Sequence, residues 1–135
     1  CTDFIIGFPT ETEGDFQQSL ELLKELKPEK VNITRFSPRP GTEAAKLKDL
    51  LEREKKRRSR IFAETYHKIA LEKNQELIGA IEDVLVTEEG VKGGVIARDA
   101  AYRTIVLKER LPLGMKLTVK IVGAKSTYLV ATPAA

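Results

Sequence analysis

The chain contains one cysteine, one histidine and one methionine, and no apolar stretch of membrane-spanning length. A single cysteine excludes an intrachain disulfide framework, so the chain reads as intracellular and cytoplasmic. A transmembrane helix needs about 20 consecutive apolar residues, so no membrane partner is expected. No basic segment leads into an apolar core at the N-terminus, and no signal peptide is visible. His67 has no second His or Cys at ligand spacing; on a helix beside Tyr66 and Ile69 it reads as a packing residue rather than a metal ligand. The length of 135 residues allows one ordinary domain or two small ones, and a net charge of +3 is too small to imply nucleic-acid binding by itself.

The charge is unevenly spread. Residues 1–41 hold 5 Lys/Arg against 7 Asp/Glu, residues 42–76 hold 10 against 7, and residues 77–135 hold 8 against 6. An acidic first segment is thus followed by basic ones. In the first, Phe4-Ile5-Ile6 ends at Gly7, as a buried parallel strand would. Thr12 is placed to cap a helix, with Asp15 as its acidic partner three residues on. Phe16, Leu20, Leu23 and Leu26 recur at helical spacing. A second strand, roughly Lys30 to Phe36, closes at Ser37-Pro38-Arg39-Pro40-Gly41. The result is a strand–helix–strand unit whose loops lie at the strand C-terminal ends, where α/β folds place ligand sites.

Residues 42–76 hold no proline or glycine and are rich in Ala, Leu, Glu, Lys and Arg, which predicts one long connecting helix from Thr42 to about Glu76. Leu47, Leu50 and Leu51 form one apolar patch; Ile61, Phe62, Tyr66 and Ile69 form another. The stretch Glu52 to Arg60 between them has no apolar residue and is expected to stay wet. Two readings of it stand side by side. One is a solvated face laced with i, i+4 pairs such as Glu52–Lys56 and Glu54–Arg58. The other is an RNA-phosphate contact by Lys55, Lys56, Arg57, Arg58 and Arg60.

From Leu77 the pattern changes to strands. Leu77 to Val86 leads to a turn signal at Glu88-Glu89-Gly90. Gly93-Gly94 precedes Val95-Ile96-Ala97, Asp99-Ala100-Ala101 turns into Tyr102 to Leu107, and Pro112-Leu113-Gly114 precedes the alternating Lys116 to Val122. Thr127 to Ala131 is the last strand. Five short strands in about 60 residues predict a small closed OB-like barrel.

Two motifs, TDFIIGFPTET at Thr2 to Thr12 and SPRPGT at Ser37 to Thr42, resemble the end of the radical S-adenosylmethionine core of the methylthiotransferases. The barrel resembles a TRAM domain, through Gly94 to Leu107 with Arg98, Tyr102 and Arg103, through Leu113-Gly114, and through the Val119–Ile121 alternation before Gly123. The resemblance covers essentially the whole chain. It implies an α/β piece plus an all-β piece: a strand–helix–strand tail of the radical core at 1–41, a connecting helix at 42–76, and a five-stranded TRAM β-barrel at 77–135.

The family's activity, as the resemblance implies it, is addition of a methylthio group to a modified adenosine beside the tRNA anticodon. S-adenosylmethionine and two four-iron–four-sulfur clusters would serve the full-length enzyme, the radical cluster held by three cysteines at C-x-x-x-C-x-x-C spacing. This chain has only Cys1, so the remaining cysteines would lie in N-terminal domains outside it, no cluster or cofactor is expected bound to it, and it should be inactive alone. On the residues present, the backbone of Ile5 and Gly7 would pass beside the adenine, with Glu11 and Arg39 at the rim ordering polar groups. Gly7 and Pro9 could equally be there to shape the turn. For tRNA, Arg98, Arg103, Lys116 and Lys120, taken as coming from adjacent strands, would form a basic face. Tyr102, flanked by Arg98 and Arg103, and Tyr128 either pack or stack unpaired bases.

The family's archaeal and eukaryotic-like branch acts on N6-threonylcarbamoyladenosine and its bacterial relatives on isopentenyladenosine or a ribosomal-protein aspartate. The net basic helix and barrel suit tRNA. High Glu/Lys/Arg content with one Cys and one Met fits a thermophile, consistent with the archaeal branch, for which the resemblance implies the threonylcarbamoyl substrate. The alternative is a stand-alone TRAM module that binds RNA without catalysis. The strand–helix–strand piece has unpaired sheet edges, which invite self-association unless the long helix covers them.

Overall fold

A computed structural model describes residues 1–90 and 92–134. The chain folds as two compact units, Cys1–His67 and Lys68–Ala135.

In the first unit, β1 (Thr2–Ile6), α1 (Glu13–Leu26) and β2 (Val31–Arg35) follow one another. The two strands pair in parallel, from Thr2 opposite Val31 to Ile6 opposite Arg35. Thr12 caps α1 as its sequence position implies. Its hydroxyl accepts from the Asp15 N–H at 3.1 Å, and the Asp15 carboxylate accepts from the Thr12 N–H at 3.0 Å. Two of the helix's orphan donors are thereby satisfied. Phe16, Leu20 and Leu23 are buried, whereas Leu26, the next residue of the same periodicity, is exposed. The strand–helix–strand unit is as the sequence reads, but β1 is buried on one face only: Ile6 is enclosed and Ile5 is 61% exposed.

The helix expected from Thr42 starts later. A single 3₁₀ turn, Ala44–Lys46, is followed by extended chain, and α2 runs Glu52–Gln75. Thr42 lies just before this turn: its hydroxyl accepts from the Ala45 N–H at 3.2 Å and donates to the Arg39 carbonyl at 2.8 Å. The expectation of a wet charged stretch holds for Glu52, Arg53, Lys56 and Arg60, and the expected Glu54–Arg58 pair forms at 3.0 Å, but two residues overturn it. Lys55 and Arg58 are 3% and 6% exposed, while Leu47 and Leu51 face water. Phe62 and Tyr66 are buried, Phe62 against Phe4 with ring centroids 4.7 Å apart.

The second unit is a closed barrel of β3 (Ile81–Glu89), β4 (Val95–Arg98), β5 (Thr104–Leu107), β6 (Lys116–Ala124) and β7 (Leu129–Pro133), in the order β3-β4-β5-β7-β6. All pairings are antiparallel except β5 with β7. Alternate residues, among them Val84, Val86, Ile105, Leu107, Val119 and Ile121, fill the interior. Bulges between Val86 and Glu88 and between Ile121 and Gly123 supply the bends that closure of short strands requires. Gly94 cannot be anything else, because a Cβ there would overlap the Leu107 carbonyl oxygen. Several boundaries differ from the sequence reading. Leu77–Ala80 is a turn, since Gly79 takes φ +94°, β5 begins at Thr104 because Tyr102 takes φ +63°, β6 runs on to Ala124, and β7 is displaced by two residues from the expected Thr127 to Ala131.

Candidate nucleic-acid interface and strand-end rim

At the C-terminal ends of β1 and β2, two cations of α2 close over the loops. The Lys55 ammonium donates to the Phe36 carbonyl at 3.1 Å and the Asp49 carboxylate at 3.0 Å, and pairs with Glu52 at 3.2 Å. Asp49 holds it above the ordinary lysine range, Glu52 adds to this, and desolvation only partly opposes them. Three acceptors match the three donors of the buried ammonium, which is what lets a charge be enclosed here. Arg58 donates to both the backbone carbonyl and the carboxylate of Glu11, at 3.0 and 2.9 Å, and to Glu54 at 3.0 Å. Arg57 joins Glu13 to Glu54, at 2.7 and 2.6 Å. Its guanidinium, with Arg58, brings the Glu54 carboxyl down to about 2 against the effect of burial.

Of the four residues singled out at this rim, the structure joins two. The Gly7 N–H donates to Glu11 Oε2 at 3.2 Å, and Glu11 Oε1 is the carboxylate oxygen held by Arg58. Gly7 has φ +84°, and a Cβ on it would lie 2.5 Å from Lys55 Cγ. The left-handed backbone and the chain's own lysine stem both favour glycine here. Arg39 is exposed and has no ion pair among the described residues; it does not bond to Glu11 or Gly7. Sequence reasoning missed Lys55 and Arg58 as rim residues. In the sequence they are part of a charged run, and their partners Phe36 and Glu11 lie 19 and 47 positions away.

On the barrel, the expected basic face divides into two kinds of residue. Lys116 and Lys120 point outward from β6, are exposed, and have no ion pair among the described residues. They stand opposite Leu85 and Ile81 of β3, of which Ile81 is well exposed. Arg98, at the end of β4, also stands opposite Leu85. The four basic residues are thus not on adjacent strands: β3 lies between β4 and β6. Arg103 is turned to the end of the barrel, where it pairs with Asp99 at 2.9 Å and lies 3.9 Å from Glu82. Burial and the neighbouring Asp99 raise the Glu82 carboxyl. Burial would raise Asp99 too, but the Arg103 N–H, the Arg103 guanidinium and Glu82 together hold it below its ordinary range. Arg98 donates to Thr104 Oγ1 at 2.6 Å, and its guanidinium carbon lies 4.5 Å from the centre of the exposed Tyr102 ring. Tyr128 is half-buried on the β6–β7 turn, and its carbonyl accepts from the Lys125 N–H at 2.8 Å.

Among the described residues no cluster of His, Cys, Asp and Glu has the arrangement of a metal site, and no helix is long and apolar enough to cross a membrane.

The five-stranded closed barrel coincides with a match to the TRAM domain over residues 75–134, so this part of the chain is a TRAM domain. The similarity extends well beyond it. The chain is 46% identical over 134 residues to a protein of Archaeoglobus fulgidus named "Probable threonylcarbamoyladenosine tRNA methylthiotransferase", which covers 99% of this chain and 31% of that protein. A protein of the same name from Pyrococcus horikoshii is 44% identical, over 95% of this chain and 30% of its own length. The Xenopus laevis "Threonylcarbamoyladenosine tRNA methylthiotransferase" is 35% identical, over 98% of the chain and 24% of its own length. The chain therefore spans about three-tenths or less of these relatives. Over nearly its whole length the chain is thus similar to one portion of proteins that bear these names.

Proposed function

We propose that the chain is the tRNA-holding portion of an enzyme that adds a methylthio group to N6-threonylcarbamoyladenosine beside the anticodon. The observation that carries this is 46% identity in an alignment over 99% of the chain, not only over the barrel, to a relative bearing that name. A free-standing RNA-binding module would need only the barrel, so the extent of the match favours the enzyme over that alternative. Of the four basic barrel residues singled out in the sequence, Lys116 and Lys120 are the ones exposed without an ion pair and open to phosphate. Arg98, Tyr102 and Arg103 form the neighbouring surface, with the two arginines already engaged by Thr104 and Asp99.

Radical chemistry of the proposed kind takes a four-iron–four-sulfur cluster and S-adenosylmethionine, which supply the hydrogen-abstracting radical and the methyl group. One cysteine cannot provide the three thiolates of a cluster, so neither of the two clusters is assigned to residues of this chain. For S-adenosylmethionine, the residues with surface to offer are Ile5, apolar and exposed, and Arg39, exposed without an ion pair. Gly7 and Glu11 shape the same rim from behind, with the Gly7 N–H already accepted by Glu11. The enzyme acts on soluble RNA, which places it in the cytoplasm. Nucleoside mass spectrometry of tRNA from a strain lacking the gene tests the reading. Loss of 2-methylthio-N6-threonylcarbamoyladenosine, with the unthiolated nucleoside accumulating, is expected; an unchanged nucleoside profile contradicts it.

A further inference from the structure

Tyr102 combines two features that rarely coincide. It is a bulky residue in the left-handed backbone region, φ +63°, where a side chain is disfavoured. It is also 65% exposed, so no burial of the ring offsets that conformation. The conformation is imposed by Asp99, whose side chain is 4% exposed. Asp99 Oδ1 accepts from the N–H groups of Ala101 and Arg103 at 3.0 and 2.9 Å, its Oδ2 accepts from Arg103 Nη1 at 2.9 Å, and its carbonyl accepts from the Tyr102 N–H at 2.9 Å. The ring is thereby held out from the barrel. Arg98 backs one face of it, with the guanidinium fixed by Thr104 Oγ1 at 2.6 Å and by Glu88 at 3.5 Å. With Arg98 on one side and the ring largely exposed, the opposite face is open to solvent. Strain of this kind at an exposed aromatic is a mark of a binding position.

We propose that Tyr102 is a preassembled stacking platform for one unpaired base of the RNA, positioned by Asp99 and backed by Arg98. The proposal rests on the reading of the barrel as an RNA binder and narrows it. A base inside a duplex has both faces covered by its neighbours and cannot lie on the ring; a base in a loop or at a frayed end can. Arg98 acts here as the underside of the platform rather than as a phosphate ligand, so the selectivity is for single-stranded structure rather than for sequence.

The test uses the full chain and two probe RNAs: a stem–loop carrying 2-aminopurine at an unpaired loop position, and a blunt duplex of the same stem. Binding is read by fluorescence anisotropy and stacking by quenching of the 2-aminopurine. The stem–loop should bind more tightly than the duplex, with quenching. Tyr102→Leu, which keeps apolar bulk but removes the aromatic face, should lose about tenfold or more in stem–loop affinity, lose the quenching and leave duplex binding unchanged. Tyr102→Phe should retain both. Melting temperatures of the variants close to that of the parent chain would exclude unfolding as the cause. Equal effects of Tyr102→Leu on both RNAs, or quenching that survives it, overturn the platform while leaving RNA binding by the barrel standing. Failure of the parent chain to bind either RNA overturns both.

Discussion

Lys55 is a residue that helix propensity alone would leave in water. It is enclosed because Asp49, Glu52 and the Phe36 carbonyl together satisfy its three donors, and because Gly7 leaves room for its stem. Removing any one acceptor would leave part of a buried charge unmatched. The tightest constraint is steric. Gly7→Ala combines a left-handed backbone with a Cβ 2.5 Å from Lys55 Cγ, and it should destabilise the first unit by about 1–3 kcal/mol. A double-mutant cycle with Lys55→Ala, measured by chemical denaturation and circular dichroism, separates the two contributions. The alanine at position 7 should cost less when the lysine stem is gone. An identical cost in both backgrounds would mean that backbone strain, and not crowding, fixes the glycine.

At the scale of the element, α1 and the first turns of α2 are held by carboxylates whose charged forms are favoured by their partners. Gln17 and then Arg57 lower Glu13; the Thr12 N–H and hydroxyl lower Asp15; Arg57 and then Arg58 bring Glu54 to about 2. A carboxyl depressed in the folded state contributes stability that is complete above its unfolded value and is lost as pH falls toward its folded one. The helices should therefore weaken between about pH 4.5 and about pH 2. The midpoint of chemical denaturation, followed by far-ultraviolet circular dichroism, should fall as pH is lowered through that range; an unchanged midpoint would show that the network contributes nothing. Glu82 in the barrel has the opposite sign, since its raised value favours the protonated form and its contribution declines as pH rises.

These elements also show what a sequence discloses. Period-two alternation along β6, the capping pair Thr12–Asp15 and the spacing of Phe16, Leu20 and Leu23 are local signals, and each corresponds to an observed strand, cap or buried face. The start of α2 at Glu52 is not legible, because Ala44 to Leu51 has good helix propensity and the engagement of Asp49 by Lys55 depends on packing that the local sequence does not signal. The buried pair Lys55 and Arg58 was illegible for the same reason. Nothing near them in sequence announces the carbonyl and carboxylate that receive them.

For the molecule as a whole, charge that looks alike in composition is divided between structure and solvent. Arg98 and Arg103 are committed within the barrel, whereas Lys116 and Lys120 are not. The double change Lys116→Ala with Lys120→Ala should reduce tRNA affinity and lower the slope of log affinity against log salt by roughly one and a half to two units, with the fold unchanged. An unaltered slope would remove both lysines from the interface. Arg103→Ala should instead lower the melting temperature of the barrel, because it leaves Asp99 and Glu82 facing one another without a cation. The strand order has a consequence for synthesis on the ribosome. β7 lies between β5 and β6, so until residues 129–133 have left the exit tunnel the nascent sheet has two open edges, each able to pair with a neighbouring polypeptide. A translational pause while that strand is still inside the tunnel would prolong the exposure, whereas its emergence lets the barrel close and seals both edges at once.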